Sequence, residues 1–139
     1  MKNKFLVVLL ALLISHCSSS SNENTDNIRV NNLNLKTLIE EDKIQVDTDF
    51  LIINYWASWC LECIEEHELL ISLAESQKLE GKVIMVSFQD NIENSIEFLN
   101  NYGYGNIVYA VDNESKLAID SGVFGVPETH IVILSLIHI

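Results

Sequence analysis

The chain has 139 residues, 48% of them apolar, which is enough for one domain with a sizeable core. Its 20 acidic residues outnumber 8 basic ones, and the formal net charge is −12. That balance excludes a nucleic-acid binder that grips phosphates, and it favours neutral or basic partners.

The amino terminus carries Lys2 and Lys4 and then ten consecutive apolar residues, 5–14. This has the size of a secretory signal and is too short to span a bilayer. Cys17 follows, then SSSS (18–21) and NENTDN (22–27). An apolar run, a small residue, a Cys and a polar tether resemble a bacterial lipoprotein signal, with Ile14-Ser15-His16-Cys17 as the lipobox. His16 stands where a small residue is usual. The expected organisation is a signal over 1–16, a polar tether over 17–27 with Cys17 as the lipidation site, and one domain over 28–139. An ordinary signal or an uncleaved anchor, with Cys17 incidental, is the other reading. Either one exports the domain, and a lipid would tether it to a membrane.

Beyond the tether, residues 28–30 read as a strand and 35–41 as a short helix. Residues 50–56, FLIINYW, are apolar on both faces, as in a central strand covered on either side. Residues 61–78 form the strongest helical pattern. Cys60, Cys63, Ile64, His67, Leu70, Ile71 and Ala74 recur at spacings of three and four as one stripe. Gly81 marks the stop. Residues 82–88 (KVIMVSF) read as a second core strand and 91–102 as a helix with Ile92, Ile96, Phe98 and Leu99 inward. A strand over 106–111, a helix over 113–121, a turn over 125–128 and a strand over 129–134 complete the pattern. Strands alternating with helices indicate an α/β sheet.

The chemistry is concentrated in Trp59-Cys60-Leu61-Glu62-Cys63, between the central strand and the long helix. Two thiols three residues apart close a small disulfide ring. The first sits at a helix N-terminus, where unpaired N–H groups and the helix dipole favour the thiolate that attacks in disulfide exchange. A bridge across so small a loop adds little stability, so a catalytic pair is the better reading. No second CxxC or HxxxH completes a zinc site.

Three stretches, NYWASWC (54–60), CIEEH (63–67) and GVFGVPET (122–129), resemble the thioredoxin superfamily. They look most like its membrane-tethered branch serving cytochrome c maturation, the CcmG/DsbE and TlpA group, over residues 35–134. The resemblance implies a thioredoxin-like central mixed sheet flanked by helices. Cys60 would be the exposed nucleophile and Cys63 the buried resolving thiol. Pro127, the chain's single proline, would be cis beside the disulfide, and Trp59 would shield the pair. Glu66 and Glu128 match acids that line the family's active site. Glu66, at i+3 from Cys63, is placed to relay a proton and to raise the thiol pKa. Asn54 stands where ordinary thioredoxins carry a buried Asp, which makes Glu66 the substitute base. His67 reads as a packed or hydrogen-bonded helix residue, and His130 as a residue that alternates along the last strand.

The resemblance further implies an exported, periplasm-facing reductase that needs no cofactor beyond the Cys60–Cys63 pair. Its substrate would be the CxxCH site of an apocytochrome c or a helper thiol protein, and an upstream membrane reductant would recharge it. A monomer is expected. A general TlpA-like reductase is the nearest alternative. A Sco-like copper chaperone using Cys60, Cys63 and His130 is a more distant one. The family fold continues with another strand and a final helix, so a sheet edge and an apolar face near residue 134 are expected to lack cover.

Overall fold

The computed structural model describes residues 33, 35–39 and 48–133. The expected signal, tether and strand over 28–30, and Cys17 with them, lie outside the described residues. The described residues form five strands and three helices: β1 (Lys36–Thr37), β2 (Phe50–Trp56), α1 (Leu61–Ala74), β3 (Val83–Ser87), α2 (Ile92–Tyr102), β4 (Val108–Val111), α3 (Lys116–Asp120) and β5 (Glu128–Ile133).

The strands form one mixed sheet in the order β1-β4-β3-β2-β5. β2, β3 and β4 run parallel at its centre. β1 and β5 pair antiparallel at the two sides. Side chains alternate across the pleat and build two cores. Leu51, Ile53, Tyr55, Ile84, Val86 and Ala110 pack on the face that holds Ala118 of α3. Trp56, Met85, Tyr109 and Val111 pack on the other face with Leu70 of α1 and with Phe98 and Leu99 of α2. Helices therefore cover both faces of the central strands, as the doubly apolar 50–56 and 83–87 segments require.

Three expectations change. Residues 36–37 form a strand, not part of a helix. Lys36 and Thr37 pair with Val111 and Ala110, and the Leu38 amide donates to the Tyr109 carbonyl at 2.8 Å. The burial of Leu35 and Leu38, which reads as helical spacing, is satisfied by this pairing. The long helix ends at Ala74 instead of residue 78. Glu75 caps it, and the Ser76 carbonyl then accepts from the Leu79 and Glu80 amides in tight turns that lead to Gly81 at φ +70°. The third helix is reduced to Lys116–Asp120 because Ser115, at φ 52°, breaks the helical backbone just before it.

On β5, Ile131 and Ile133 alternate with half-buried His130 and Val132 and are themselves exposed. They lie on the sheet face that α1 covers farther in, since Ile131 pairs with Ile52.

Candidate redox site

β2 delivers the chain to the site through a short turn, Ala57–Cys60, closed by the Cys60 amide donating to the Ala57 carbonyl at 3.2 Å. Cys60 then serves as N-cap of α1. Its φ/ψ of −91°/112° is extended, and its Sγ accepts the Cys63 N–H at 3.1 Å. The side chain thus uses one of the N–H groups that the first helical turn leaves unpaired. Cys60 and Cys63 are joined in a disulfide. The same N–H and the helix dipole would favour a thiolate at Cys60 once that bond opens.

Cys60 and Cys63 are 4% and 3% exposed, so the expected contrast in exposure is absent in the disulfide form. The bond draws both sulfurs into one buried cluster, and Val126 packs against it. What separates the two residues is position: Cys60 caps the helix, and Cys63 lies inside its first turn. The Val126–Pro127 peptide bond is cis. Val126 packs against the cores on both sides of the sheet, one of which contains the two cysteines.

Trp59 is 61% exposed, and its indole Nε1 donates to the Gln89 carbonyl at 3.3 Å. Leu61 is exposed as well, and Phe124, three residues before Pro127, is 98% exposed. Glu66 is half-buried on α1 and makes no side-chain hydrogen bond or ion pair among the described residues. Glu128 accepts from His130 Nε2 at 2.7 Å and from the Phe124 amide at 3.3 Å. The His130 bond is the main reason the Glu128 carboxyl is held below the usual glutamate range. Glu128 therefore ties the loop before Pro127 to β5.

Asn54 is buried and donates through Nδ2 to Thr129 Oγ1 at 2.9 Å, while its Oδ1 has no partner among the described residues. His67 is buried against Phe98 and Tyr109 and donates from Nε2 to the Gly103 carbonyl at 2.9 Å, so it joins α1 to the C-terminus of α2. His130 is occupied by Glu128 and stacks edge-on against Tyr55. Among the described residues no group of three or more His, Cys, Asp or Glu is placed to hold a metal ion.

Sequence reading missed Ser58, Gln89 and Asp90. The Asp90 carboxylate accepts the Ser58 amide at 2.6 Å across a separation of 32 residues. Its only visible signal was the Asp90-Asn91 pair before α2, which reads as an ordinary helix start. Asn91 is indeed the cap, accepting the Asn94 amide at 2.7 Å.

No protein-family model matches the chain. It is 36% identical over 81 residues to the thiol:disulfide interchange protein CycY of Rhizobium leguminosarum bv. viciae, covering 58% of this chain and 42% of that protein. It is 32% identical over 102 residues to the thiol:disulfide interchange protein DsbE of Vibrio cholerae, covering 70% of this chain and 54% of that one. The chain spans about half the length of the curated relatives it matches. Its fold matches that of a thioredoxin-like protein from Aeropyrum pernix with a TM-score of 0.59 and 23% identity, over 72% of this chain and 73% of that one. The fold is thioredoxin-like. Sequence similarity is to proteins named DsbE and CycY, and the strand–CxxC–helix turn and cis-proline loop fall inside the thioredoxin-like fold.

Proposed function

We infer that the protein is an exported thiol–disulfide oxidoreductase that works reductively on protein disulfides in cytochrome c maturation. The single observation that carries this is the Cys60–Cys63 disulfide at the N-terminus of α1, with the Cys63 N–H aimed at Cys60 Sγ. The likeness to proteins named for thiol:disulfide interchange supports it. In the dithiol form the Cys60 thiolate attacks one sulfur of the partner's disulfide. A Cys60–partner bond forms, the partner's S–S bond breaks, and one partner sulfur leaves as thiolate. The Cys63 thiolate then attacks Cys60 Sγ, restoring the Cys60–Cys63 disulfide and releasing the second partner thiolate. The partner gains two electrons and, at neutral pH, two protons. An upstream membrane thiol reductant returns the electrons, and no further cofactor is required.

Exposed Trp59, Leu61 and Phe124, with half-buried Pro127, offer the apolar rim on which a partner segment lies, and Glu66 and Glu128 supply its acids. Glu66, at i+3 from Cys63 on α1, has the proton-relay role. The substrate is a CxxCH segment of an apocytochrome c or a helper thiol protein. The protein acts as a monomer on the periplasmic side, tethered through Cys17 after removal of residues 1–16. The basis for this location is the Lys2–Cys17 sequence pattern.

The test uses two synthetic oxidised peptides, one with CxxCH and one with the His replaced. The dithiol protein is expected to reduce the CxxCH peptide faster, and a Cys63→Ala variant to hold it as a mixed disulfide on Cys60. Equal rates on both peptides would favour a general reductase. No reduction of either would overturn the reading.

A further inference from the structure

The loop between β3 and α2 touches the cysteine turn at two points and contributes nothing to the exchange chemistry described above. Asp90 Oδ2 accepts the Ser58 amide at 2.6 Å, and the Gln89 carbonyl accepts the Trp59 indole N–H at 3.3 Å. The loop is itself held in place. Asp90 Oδ1 accepts the Asn91 amide at 2.9 Å, and Ser95 Oγ donates to Asp90 Oδ2 at 3.3 Å. Ser95 Oγ lies 2.7 Å from Ser87 Oγ, and both serines are buried. With Ser95 donating to the carboxylate, Ser87 donates to Ser95. A chain of polar contacts therefore runs from β3 through α2 to Asp90 and ends on the backbone just before Cys60. Gln89 adopts φ +48°, an unusual backbone for a residue with a side chain, and its carbonyl is the one that meets the indole.

We propose that Gln89 and Asp90 form a clamp that fixes the Ala57–Cys60 turn and so sets the reactivity of the Cys60–Cys63 pair, with Asp90 as its positioning residue. The Cys60 sulfur benefits from the Cys63 N–H only while the turn holds it over the end of α1. Ser58 and Trp59 are the two residues directly before Cys60, and each is anchored by one arm of the clamp. A buried or half-buried amide that loses its acceptor also shifts toward any geometry that rehydrates it, which would loosen the turn. The carboxylate acts in the opposite electrostatic sense, since a negative group near a thiol disfavours the thiolate. Position and charge are therefore separable by experiment. This inference rests on the redox reading above.

The test compares Asp90→Asn with Asp90→Ala in the full chain. Both remove the charge, and only Asn keeps an oxygen for the Ser58 amide. After reduction with dithiothreitol, the rate of Cys60 alkylation by iodoacetamide is followed by mass spectrometry at neutral pH. The glutathione equilibrium of the pair is measured alongside. Asp90→Ala is expected to alkylate about three- to tenfold more slowly than Asp90→Asn, the factor a single net hydrogen bond supplies. Its equilibrium constant should shift toward the disulfide by a similar factor. Trp59→Phe, a change at an exposed position that keeps an aromatic ring and removes the indole N–H with its five-membered ring, serves as the second arm and should slow alkylation in the same direction. It carries the test if Asp90→Ala does not fold. Equal rates in Asp90→Asn and Asp90→Ala, or in Trp59→Phe and the parent where Asp90→Ala is unfolded, would overturn the clamp while leaving the redox reading intact. A parent protein that does not exchange with glutathione at all would overturn both.

Discussion

Gly105 lies where the loop between α2 and β4 crosses α1, and replacing it with Ala tests how tightly the cysteine-bearing helix is held. A Cβ at that position would sit 2.9 Å from Ile71 Cγ1, 3.1 Å from Ile71 Cγ2 and 3.2 Å from Ile71 Cα. The two side-chain atoms can retreat by a change of rotamer. The Cα cannot retreat without moving α1 or the loop, and the Gly105 amide is tied to the Tyr109 hydroxyl at 3.0 Å. Overpacking of this kind costs about 1–3 kcal/mol. With a urea dependence of about 1–3 kcal/mol per M, the unfolding midpoint of the oxidised chain should fall by roughly 1 M. Ile71→Ala in the same chain should relieve the side-chain part of the clash and leave the Cα part. A double-mutant cycle should therefore show favourable coupling of about 0.5–3 kcal/mol. Gly105→Ala unfolding within about 0.5 kcal/mol of the parent, the range of neutral surface changes, would refute the close approach.

Cys60→Ser should abolish reduction of a test disulfide, whereas Cys63→Ser should accumulate mixed disulfide, as read by non-reducing mass analysis; the reverse pattern would exchange the two roles. Phe98, buried between Trp56, His67 and Tyr102 at centroid distances of 4.6, 5.1 and 4.7 Å, should cost about 3–5 kcal/mol in urea unfolding when changed to Ala. Glu128 is held below the usual glutamate range by His130, so its stabilising contribution is present above about pH 4.3 and is lost as pH falls through its lower folded value. The stability difference between the parent and Glu128→Gln should accordingly be largest at neutral pH and shrink in acid. Because the carboxylate is partly solvated, the effect should be small and weaken with salt. A difference that does not vary with pH would remove the ionised carboxylate from the account.

The central strands were legible because residues 50–56 and 83–87 are largely apolar on both faces, as strands between two helical layers must be. The cysteine helix was legible from the stripe through Cys63, His67, Leu70 and Ala74, which are its buried residues. Its end was less so, because the turns over 75–81 are closed by backbone bonds to Ser76 that leave no side-chain signature. Leu35, Leu38 and Ile39 have helical spacing, and only long-range pairing with β4 makes their neighbours a strand. The CxxC pair and Pro127 stand out by residue type. The Ser58–Asp90 contact does not, because it joins a backbone amide to a carboxylate in a distant loop. Sequence pattern records neither the crossing nor the direction of the side chain.

The most direct test of the account is a redox titration of the purified protein against reduced and oxidised glutathione, with free thiols alkylated and counted by mass. The account predicts one reversible two-electron transition in the folded protein, with Cys60 and Cys63 both protected on the oxidised side and both labelled on the reduced side. Labelling of Cys60 or Cys63 that persists across the whole range, or a disulfide that opens only after unfolding in urea, would contradict it.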